Sequence, residues 1–575
     1  MEAVLDGLVL PGGIGLRADG LSLVLAGVSA LVWLAAALAS VDYVGLDDGS
    51  RRYYVCYLFT LTGVLGTFLA ADFLTLLLFF EFMTLSSYFL VVHTRTTESV
   101  AAGNLYLYLS LAGGLVLLVG VALLNYLGGG LALDVLLDAG VLSTATVVLM
   151  VVGFSVKSAL VPMHVWLPLA HPVAPAPASA VLSGVMIKTG AYGVLRSLLV
   201  LSDTPASQQL GLALILMAGV SMLVGVIMAL LQSDAKRMLA YHSVSQMGYI
   251  LMGVGLVAYL GPEDPLAFAG SLYHIVNHAL FKSALFLVVG AVYLRTHETD
   301  MYKLGGLWRQ MPAIALVGLV AAMGIAGVPG LNGYVSKTVL HHALEHAAHG
   351  RPLLTAVEWA FIITGAGTAC SFLKFFGFIF LGRPRTRLQP GREGMATVVG
   401  TVLLAAAIVV LGLQPAPFLH EVVAPAFSGL TGATFSAHLS VFAVEDLKGI
   451  ATCLGLGLAL FAVGVKTGLF HVHPPAWLSV GWLASATARG VGRAVNNSAT
   501  VLSSLGDRLW TEVLRLNHAL VSEMRQMDGP SFGTHHANRA NLANLSFDAA
   551  IVMAVLAAIL ISRAVLGGHL GAHFR

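Results

Sequence analysis

Charge is scarce in this chain. Asp, Glu, Lys and Arg together make up 10% of its 575 residues, while apolar types make up 58%. A soluble domain carries roughly 25% charged residues, so a water-exposed globular surface is excluded and a polytopic membrane protein remains. The formal net charge is only +2 and the basic residues are spread over many loops, which excludes nucleic acid as a partner and leaves lipid as the solvent. Cysteine is scarcer still. Cys56, Cys370 and Cys453 lie far apart in apolar runs without CxxC spacing, so thiolates here hold neither an iron–sulfur cluster nor a structural zinc. A nucleotide-binding glycine loop placed after a strand is also lacking, and no redox cofactor is expected on this chain. The opening MEAVLDGLVLPGG has no basic n-region, so no cleaved signal peptide is expected.

What is present is a succession of long apolar runs. Runs long enough to span fall at 20–40, 54–70, 72–93, 104–124, 144–161, 178–200, 209–231, 239–259, 266–294, 312–347, 355–381, 397–413, 448–467 and 548–567. They predict an all-α, multi-pass membrane protein of about fourteen crossings. Alternating sides along these runs puts Arg51, Arg52, Arg95, Lys236, Arg237, Arg295, Lys303, Arg309, Arg383, Arg385, Arg387 and Arg392 on one face. Asp134, Asp138, Glu263, Asp264, Glu421, Glu445 and Asp446 fall on the other. The basic face is expected to be cytoplasmic, with both termini outside.

Two of the runs are broken. The stretch from Lys157 to Arg196 places two lysines and two histidines in apolar sequence around Pro162, Pro168, Pro172, Pro175 and Pro177, and a second break falls at Gly327, Pro329 and Gly330. Non-helical backbone at membrane depth survives only where it is buried in protein or lines a wet cavity. The first break follows Lys157 and the second leads into Lys337; the next crossing carries Lys188 in one case and Lys374 in the other. Transporters are commonly built from inverted halves with broken helices in matching positions. The chain therefore divides into an N-terminal helix and loop (1–53), a first repeat (54–200), a second repeat (209–381) and C-terminal crossings (382–467). A cytoplasmic amphipathic segment (468–547) and a final crossing (548–575) complete it. Five crossings per repeat, an odd number, make the second copy enter from the opposite face. Within 468–547, Leu505, Leu509, Val513, Leu516 and Leu520 recur at three to four residues, the period of a helix lying on a surface.

Each charge at the centre of a spanning helix costs roughly 2.5–3.5 kcal/mol on insertion scales, so those retained are candidates for function. They are Glu81, Lys157, Lys188, Lys282, Lys337 and Lys374. A carboxylate and an ammonium sharing a low-dielectric site hold each other's charge, so a proton added beside one shifts the other. His274, His278 and Lys282 recur at intervals of four and share one helix face, where imidazoles can pass protons. A metal reading exists at His342-Ala-Leu-Glu345-His346, which has the spacing of one zinc peptidase class. With no further ligand nominated, a solvated histidine-rich loop is expected there and no metal.

The stretches FFEFMTLSSY, KSALVPMHVWLPLAHPVAPAPASAVLSG, SDAKRMLAYHSVSQMGY, HIVNHALFKSALFLVVG and GVPGLNGYVSK resemble the antiporter-like, proton-conducting membrane subunits shared by respiratory complex I, Mrp cation/proton antiporters and membrane-bound hydrogenases. The resemblance spans about residues 15–415. HVWLPLAHPVAPAPASAVLSGVMIKTGAYGVLR and FLKFFGFIFLGRPRT look most like hydrogenase-4 and formate hydrogenlyase subunits, whereas SVSQMGY looks more like the complex I and Mrp branches. The resemblance implies that Glu81 and Lys157 are the acidic and basic partners of a first half-channel. It makes Lys188 the link to the centre, Lys282 with His274 and His278 the central relay, and Lys337 the terminal group of a second half-channel. It also implies partner membrane subunits, further antiporter-like subunits among them, a peripheral redox arm, and protons or sodium ions as cargo in the cytoplasmic (inner) membrane. The family pattern usually has two spanning helices ahead of the LRADGLSLVL-like start, which here begins at Leu16; a partner supplies them or the assembly does without them. The rival reading is an Mrp-type antiporter or an inorganic-carbon uptake module without a redox partner.

Overall fold

The computed structural model describes residues 2–5, 14–45, 49–128, 130–137, 140–202, 204–261, 264–386, 393–436 and 441–472, which fall within one compact unit, Met1–Gly490. The predicted segment at 502–525 and the final crossing at 548–567 lie outside these residues. A short antiparallel hairpin, β1 (Glu2–Leu5) and β2 (Ile14–Arg17), precedes the first helix. An all-α reading did not include it, although the intervening Pro-Gly-Gly is a turn signal.

The helices follow in order: α1 (Gly20–Tyr43), α2 (Ser50–Phe68), α3 (Phe73–Val91), α4 (Thr97–Gly128) and α5 (Val141–Lys157). Helix α5 stops at Lys157, where the sequence reading carried the span to residue 161. A single 3₁₀ turn (Met163–Trp166) and the short α6 (Leu167–Val173) occupy the proline-rich break. Next, α7 (Ala176–Val181) and α8 (Ile187–Leu199) are joined by a π turn at Leu182–Met186 into one crossing. There follow α9 (Pro205–Leu230), α10 (Ala235–Leu260), α11 (Pro265–Thr296), the broken pair α12 (Pro312–Ala326) and α13 (Asn332–Ala348), and α14 (Pro352–Phe380). The last described helices are α15 (Met395–Leu413), α16 (Pro415–Phe418), α17 (Ala424–Thr431) and α18 (Val444–Thr467). Starts are set by side chains that satisfy first-turn amides. Asp19 accepts from Ser22 N, Asp72 from Leu74 N and Thr75 N, Asp234 from Arg237 N, and Asp264 from Ala267 N.

Among the described residues, ten helical stretches are long and apolar enough to cross a membrane, and α5 and α12 are shorter apolar helices. Both short ones end at a break. The outer surface is studded with apolar side chains such as Leu34, Phe59, Leu115 and Leu316, as a lipid-facing surface requires. Adjacent helices approach through small residues. A methyl at Gly120 would fall 2.7 Å from Met150 Cγ, and one at Gly153 2.7 Å from Leu117 Cβ, so α4 and α5 pack backbone to backbone. At the centre lie α10 and α11, with α11 buried along its whole apolar window.

The arginine-bearing connections gather at one end of this bundle. Ala235 N donates to Thr299 O, Gly306 N to Leu381 O and Thr397 N to Asp42 Oδ2. The acidic connections meet at the other end, where Arg17 pairs with Asp134 at 3.1 Å and Arg196 pairs with Asp19.

Candidate functional site

Of the membrane-embedded charges named from the sequence, Lys157, Lys188 and Lys337 lie beside a helix break or π turn, Glu81 and Lys282 lie within helices facing the interior, and Lys374 lies at the end of α9. Lys157 is the last residue of α5 and is 1% exposed. Its Nζ donates to Tyr106 Oη (2.9 Å) and Ser110 Oγ (3.3 Å) on α4, and the Tyr106 hydroxyl is 2.7 Å from Ser87 Oγ on α3. Trp166 in the break donates its indole N–H to Val156 O at 3.0 Å, tying the broken segment back to the end of α5.

Glu81, on α3, faces the same compartment and interacts electrostatically with Lys157, yet its two buried oxygens have no hydrogen-bond partner in the protein. The two groups share one site, as expected from the sequence, and interact through space without a direct hydrogen bond. The α4 hydroxyls take the Lys157 ammonium, because Tyr106 and Ser110 lie one turn apart on the helix face that meets α5. Room for the carboxylate comes from Gly114, where any Cβ would collide with Glu81 Oε1.

The next charge inward is Lys188, whose Nζ donates to the carbonyl of Ser183. Ser183 lies in the π turn Leu182–Met186, and a π turn departs from the regular i→i−4 ladder. From there a connection leads to Lys282. Ser183 Oγ is 2.7 Å from Ser243 Oγ on α10, Ser243 Oγ donates to Leu239 O (3.0 Å), and the same carbonyl accepts Lys282 Nζ. Two hydroxyls and two carbonyls, those of Ser183 and Leu239, thus lie between Lys188 and Lys282 across the middle of the bundle, Ser183 contributing one of each. The serines were not singled out from sequence, since nothing in the spacing from 183 to 243 says that the π turn and α10 meet.

His278 and His274 continue along α11, their rings parallel within 6° and 6.4 Å apart. His274 Nε2 lies 3.1 Å from Gln246 Oε1, and its Nδ1 lies 2.9 Å from Ser336 Oγ, the neighbour of Lys337. Asn277 Nδ2 donates to Asn332 O (2.7 Å) at the start of α13, fixing the second break against α11. In that break Gly327 and Gly330 have φ of +87° and +88°, a left-handed backbone that glycine adopts readily. Lys337 Nζ donates to Ile325 O (2.7 Å) in the last turn of α12, a carbonyl that the end of a helix leaves without an amide partner.

Beyond Lys337 the protein opens. A half-open cavity of about 500 Å³ between α13, α14 and α18 is lined by Lys337, Tyr249, His341, Glu345, Trp359, Glu445, Asp446 and Cys453. His342, of the zinc-like motif, lies 2.7 Å from Asp446 Oδ1, His346 Nδ1 lies 3.9 Å from Asp264, and His341 lies 3.4 Å from Glu358. The motif's side chains go to separate carboxylates, and no metal-holding cluster of His, Cys, Asp or Glu occurs among the described residues.

Lys374 sits apart from the axis. It donates to Leu230 O (2.8 Å) and Gln232 O (2.6 Å) at the C-terminal end of α9, under the rings of Tyr302 and Phe470. Three buried groups that the sequence reading left without a role also line the interior. Lys236 donates to Ala174 O (2.9 Å) at the end of α6. His171 lies on Phe286 and interacts with Lys282, Lys236 and Lys188, while His242 lies on Phe372. The available signals were a histidine inside a spanning run for His242 and one inside the proline-rich break for His171.

Comparison with known proteins identifies the family of the chain. Residues 70–361 match the family model described as NADH:quinone oxidoreductase/Mrp antiporter, TM. The chain is 32% identical to hydrogenase-4 component B of Escherichia coli (strain K12) over 478 residues, 79% of this chain and 70% of that protein. It is also 32% identical to a Na(+)/H(+) antiporter component of Alkalihalophilus pseudofirmus, over 71% of this chain and 82% of that one. A chain in the structure of the Mrp complex from Dietzia sp. DQ12-45-1b superposes with a TM-score of 0.77 at 26% identity, over 97% of this chain and 60% of that longer chain.

Proposed function

This chain belongs to the NADH:quinone oxidoreductase/Mrp antiporter family, and from that premise we propose that it is an antiporter-like membrane subunit that moves protons, or sodium ions, as one module of a redox-driven complex. In this reading it sits in the cytoplasmic membrane with about fourteen crossings, two of its bundles related as inverted repeats. It works beside other membrane subunits and a peripheral redox arm, and itself holds no redox group.

The observation that carries the reading is the row of buried charged and polar groups through the middle of the bundle, hydrogen-bonded in separate segments, with His278 unpartnered between two of them. Lys188, Ser183, Ser243, Leu239 O and Lys282 are linked by hydrogen bonds, as are His274, Ser336 and Gln246. Glu81 and Lys157 are the loading pair at one end and Lys337 is the discharging group at the other, opening to the cavity. Lys188 and Lys282 with its histidines carry the ion sideways between them. A buried lysine on a carbonyl acts by charge. When a proton leaves its neighbour, its own affinity shifts, and the change passes along the row. Lys374 stands at the side of this row and has a place in it only through His242.

A second reading keeps the same residues and drops the redox partner. The superposition on the Mrp complex over 97% of the chain and the identity to a Na(+)/H(+) antiporter component favour it. The experiment is to purify the native complex, ask whether redox subunits co-elute, and measure ion uptake in vesicles with Lys282→Ala beside the unaltered chain. Blocked uptake with intact assembly is expected. Full uptake in Lys282→Ala would overturn a lateral route.

A further inference from the structure

His242 sits in the second turn of α10, fully buried, with neither ring nitrogen hydrogen-bonded to the protein. A buried polar group of this kind calls for an explanation, since most are satisfied. The side chains around it supply one. Its ring lies on Phe372 of α14, centroids 4.8 Å apart, and Phe372 is two residues from Lys374. On the same face of α10, three residues earlier, Leu239 O holds the ammonium of Lys282. The charges that act on His242 through space, without a hydrogen bond to it, are those of Lys282 on α11, Lys337 on α13 and Lys374 on α14, and His278 on α11 lies within its electrostatic reach.

The outer neighbour of His242 points the other way. Lys374 is anchored on the carbonyls of Leu230 and Gln232, where α9 ends, and it interacts with Asp300 in the connection that carries Lys303 and Arg309. It belongs to the arginine-bearing end. Seven residues of helix separate His242 from the start of α10, about 10 Å at 1.5 Å per residue, so the imidazole lies between that end and the centre.

We propose that His242 carries protons between Lys374 and Lys282, giving the second repeat its own approach from the arginine-bearing face. The proposal rests on the ion-translocating reading above. The step balances without another reactant. One ring nitrogen takes a proton arriving from Lys374, the other releases its proton toward a neutral Lys282, and the imidazole is left as the opposite tautomer. Lys374, otherwise a group that satisfies the end of α9, becomes the outer station of that route.

The test uses the intact native complex in proteoliposomes, with His242→Phe, His242→Gln, Lys374→Met and Lys282→Ala prepared in parallel. Phenylalanine keeps the contact with Phe372 and glutamine keeps polarity, but neither can carry a proton. Both His242 variants and Lys374→Met are expected to assemble and to lower proton uptake about tenfold, less than the full loss of a proton carrier because the Lys188 connection remains. His242→Phe combined with Lys374→Met should be no slower than either alone, as expected of two groups on one route. An infrared difference band of isotope-labelled histidine, absent in His242→Phe and His242→Gln, should accompany turnover. If His242→Phe does not assemble, His242→Gln and the infrared band decide. Wild-type uptake in the His242 variants or in Lys374→Met, beside a blocked Lys282→Ala, would overturn the inference and leave the general reading standing. Wild-type uptake in Lys282→Ala as well would overturn that reading too.

Discussion

The two broken helices solve the same problem in different ways. In the first, the lysine ends the half-helix that precedes the break, and Lys157 is held by the hydroxyls of Tyr106 and Ser110 with Glu81 in the same enclosed compartment. In the second, the lysine lies in the half-helix that follows the break, and Lys337 rests on the carbonyl of Ile325 with a cavity of about 500 Å³ beside it. The first lysine therefore has a carboxyl neighbour that interacts with it through space. The second has the negative end of a half-helix, which holds charge without accepting a proton. The comparison teaches that the two breaks place a buried lysine alike but hold it differently. Under the proposed function the difference becomes one of task, an enclosed exchange at the first break and release through the cavity at the second.

The largest effect that would break this contrast is at the enclosed pair. Lys157→Ala and Glu81→Ala should each cut ion uptake by about a hundredfold or more while the complex still assembles. Lys157→Arg should be intermediate at best, since arginine does not release its proton. Uptake at wild-type rate in both alanine variants would show that the first compartment is only structural.

The anchoring of the crossing that follows each break is the next point of difference. Helix α8 after the first break is pinned by the buried pair of Arg196 with Asp19, whereas α14 after the second is pinned by Lys374 on carbonyls. Burial works to raise the Asp19 carboxyl, but the Arg196 charge and the Ser22 N–H outweigh it and hold that carboxyl below its ordinary value. With a lowered folded value, the stabilisation is complete above the unfolded carboxylate range, about pH 4, and is lost as pH falls through the folded value. Asp19→Asn leaves Arg196 buried without its counter-charge and should cost about 3–5 kcal/mol. Lys374→Met should cost about 1 kcal/mol. Thermal unfolding in detergent should lose its acid sensitivity below about pH 4 in Asp19→Asn and keep it in Lys374→Met.

A smaller effect sharpens the enclosed site. Gly114→Ala forces the Glu81 carboxylate aside and should destabilise by about 1–3 kcal/mol, as overpacking does, with a several-fold loss of uptake. The matching probe of the open site is Cys453. A water-borne, membrane-impermeant thiol reagent should reach it through the cavity, and a cysteine introduced at Ser110 should resist the same reagent. Equal labelling of both would erase the distinction between the enclosed and the open break. The smallest effect is expected at the cavity mouth, where His342→Ala removes the contact with Asp446 and should cost about 1 kcal/mol with little change in uptake.

Much of this was legible in the sequence because the bilayer makes it so. A backbone in lipid must satisfy its own hydrogen bonds, so apolar runs mark helices, and prolines or glycines inside them mark breaks that need protein or water around them. The same expense marks function. Glu81, Lys157, Lys188, Lys282 and Lys337 stand out in apolar sequence, and the four-residue spacing of His274, His278 and Lys282 places them on one face, as the parallel rings of His274 and His278 bear out. Which groups touch was decided only in three dimensions. The resemblance made Glu81 the partner of Lys157, and only packing showed that the ammonium is held by Tyr106 and Ser110 on α4. Ser183 and Ser243, sixty residues apart, meet at 2.7 Å because the π turn after α7 packs against α10 there. Ser336, Leu239 O and Ile325 O carry no signal in the sequence, since a serine or a main-chain carbonyl looks the same in any helix. Helix periodicity and burial energy are local and can be read along the chain. Hydrogen bonds between helices depend on where distant turns come to lie, and tertiary packing alone sets that.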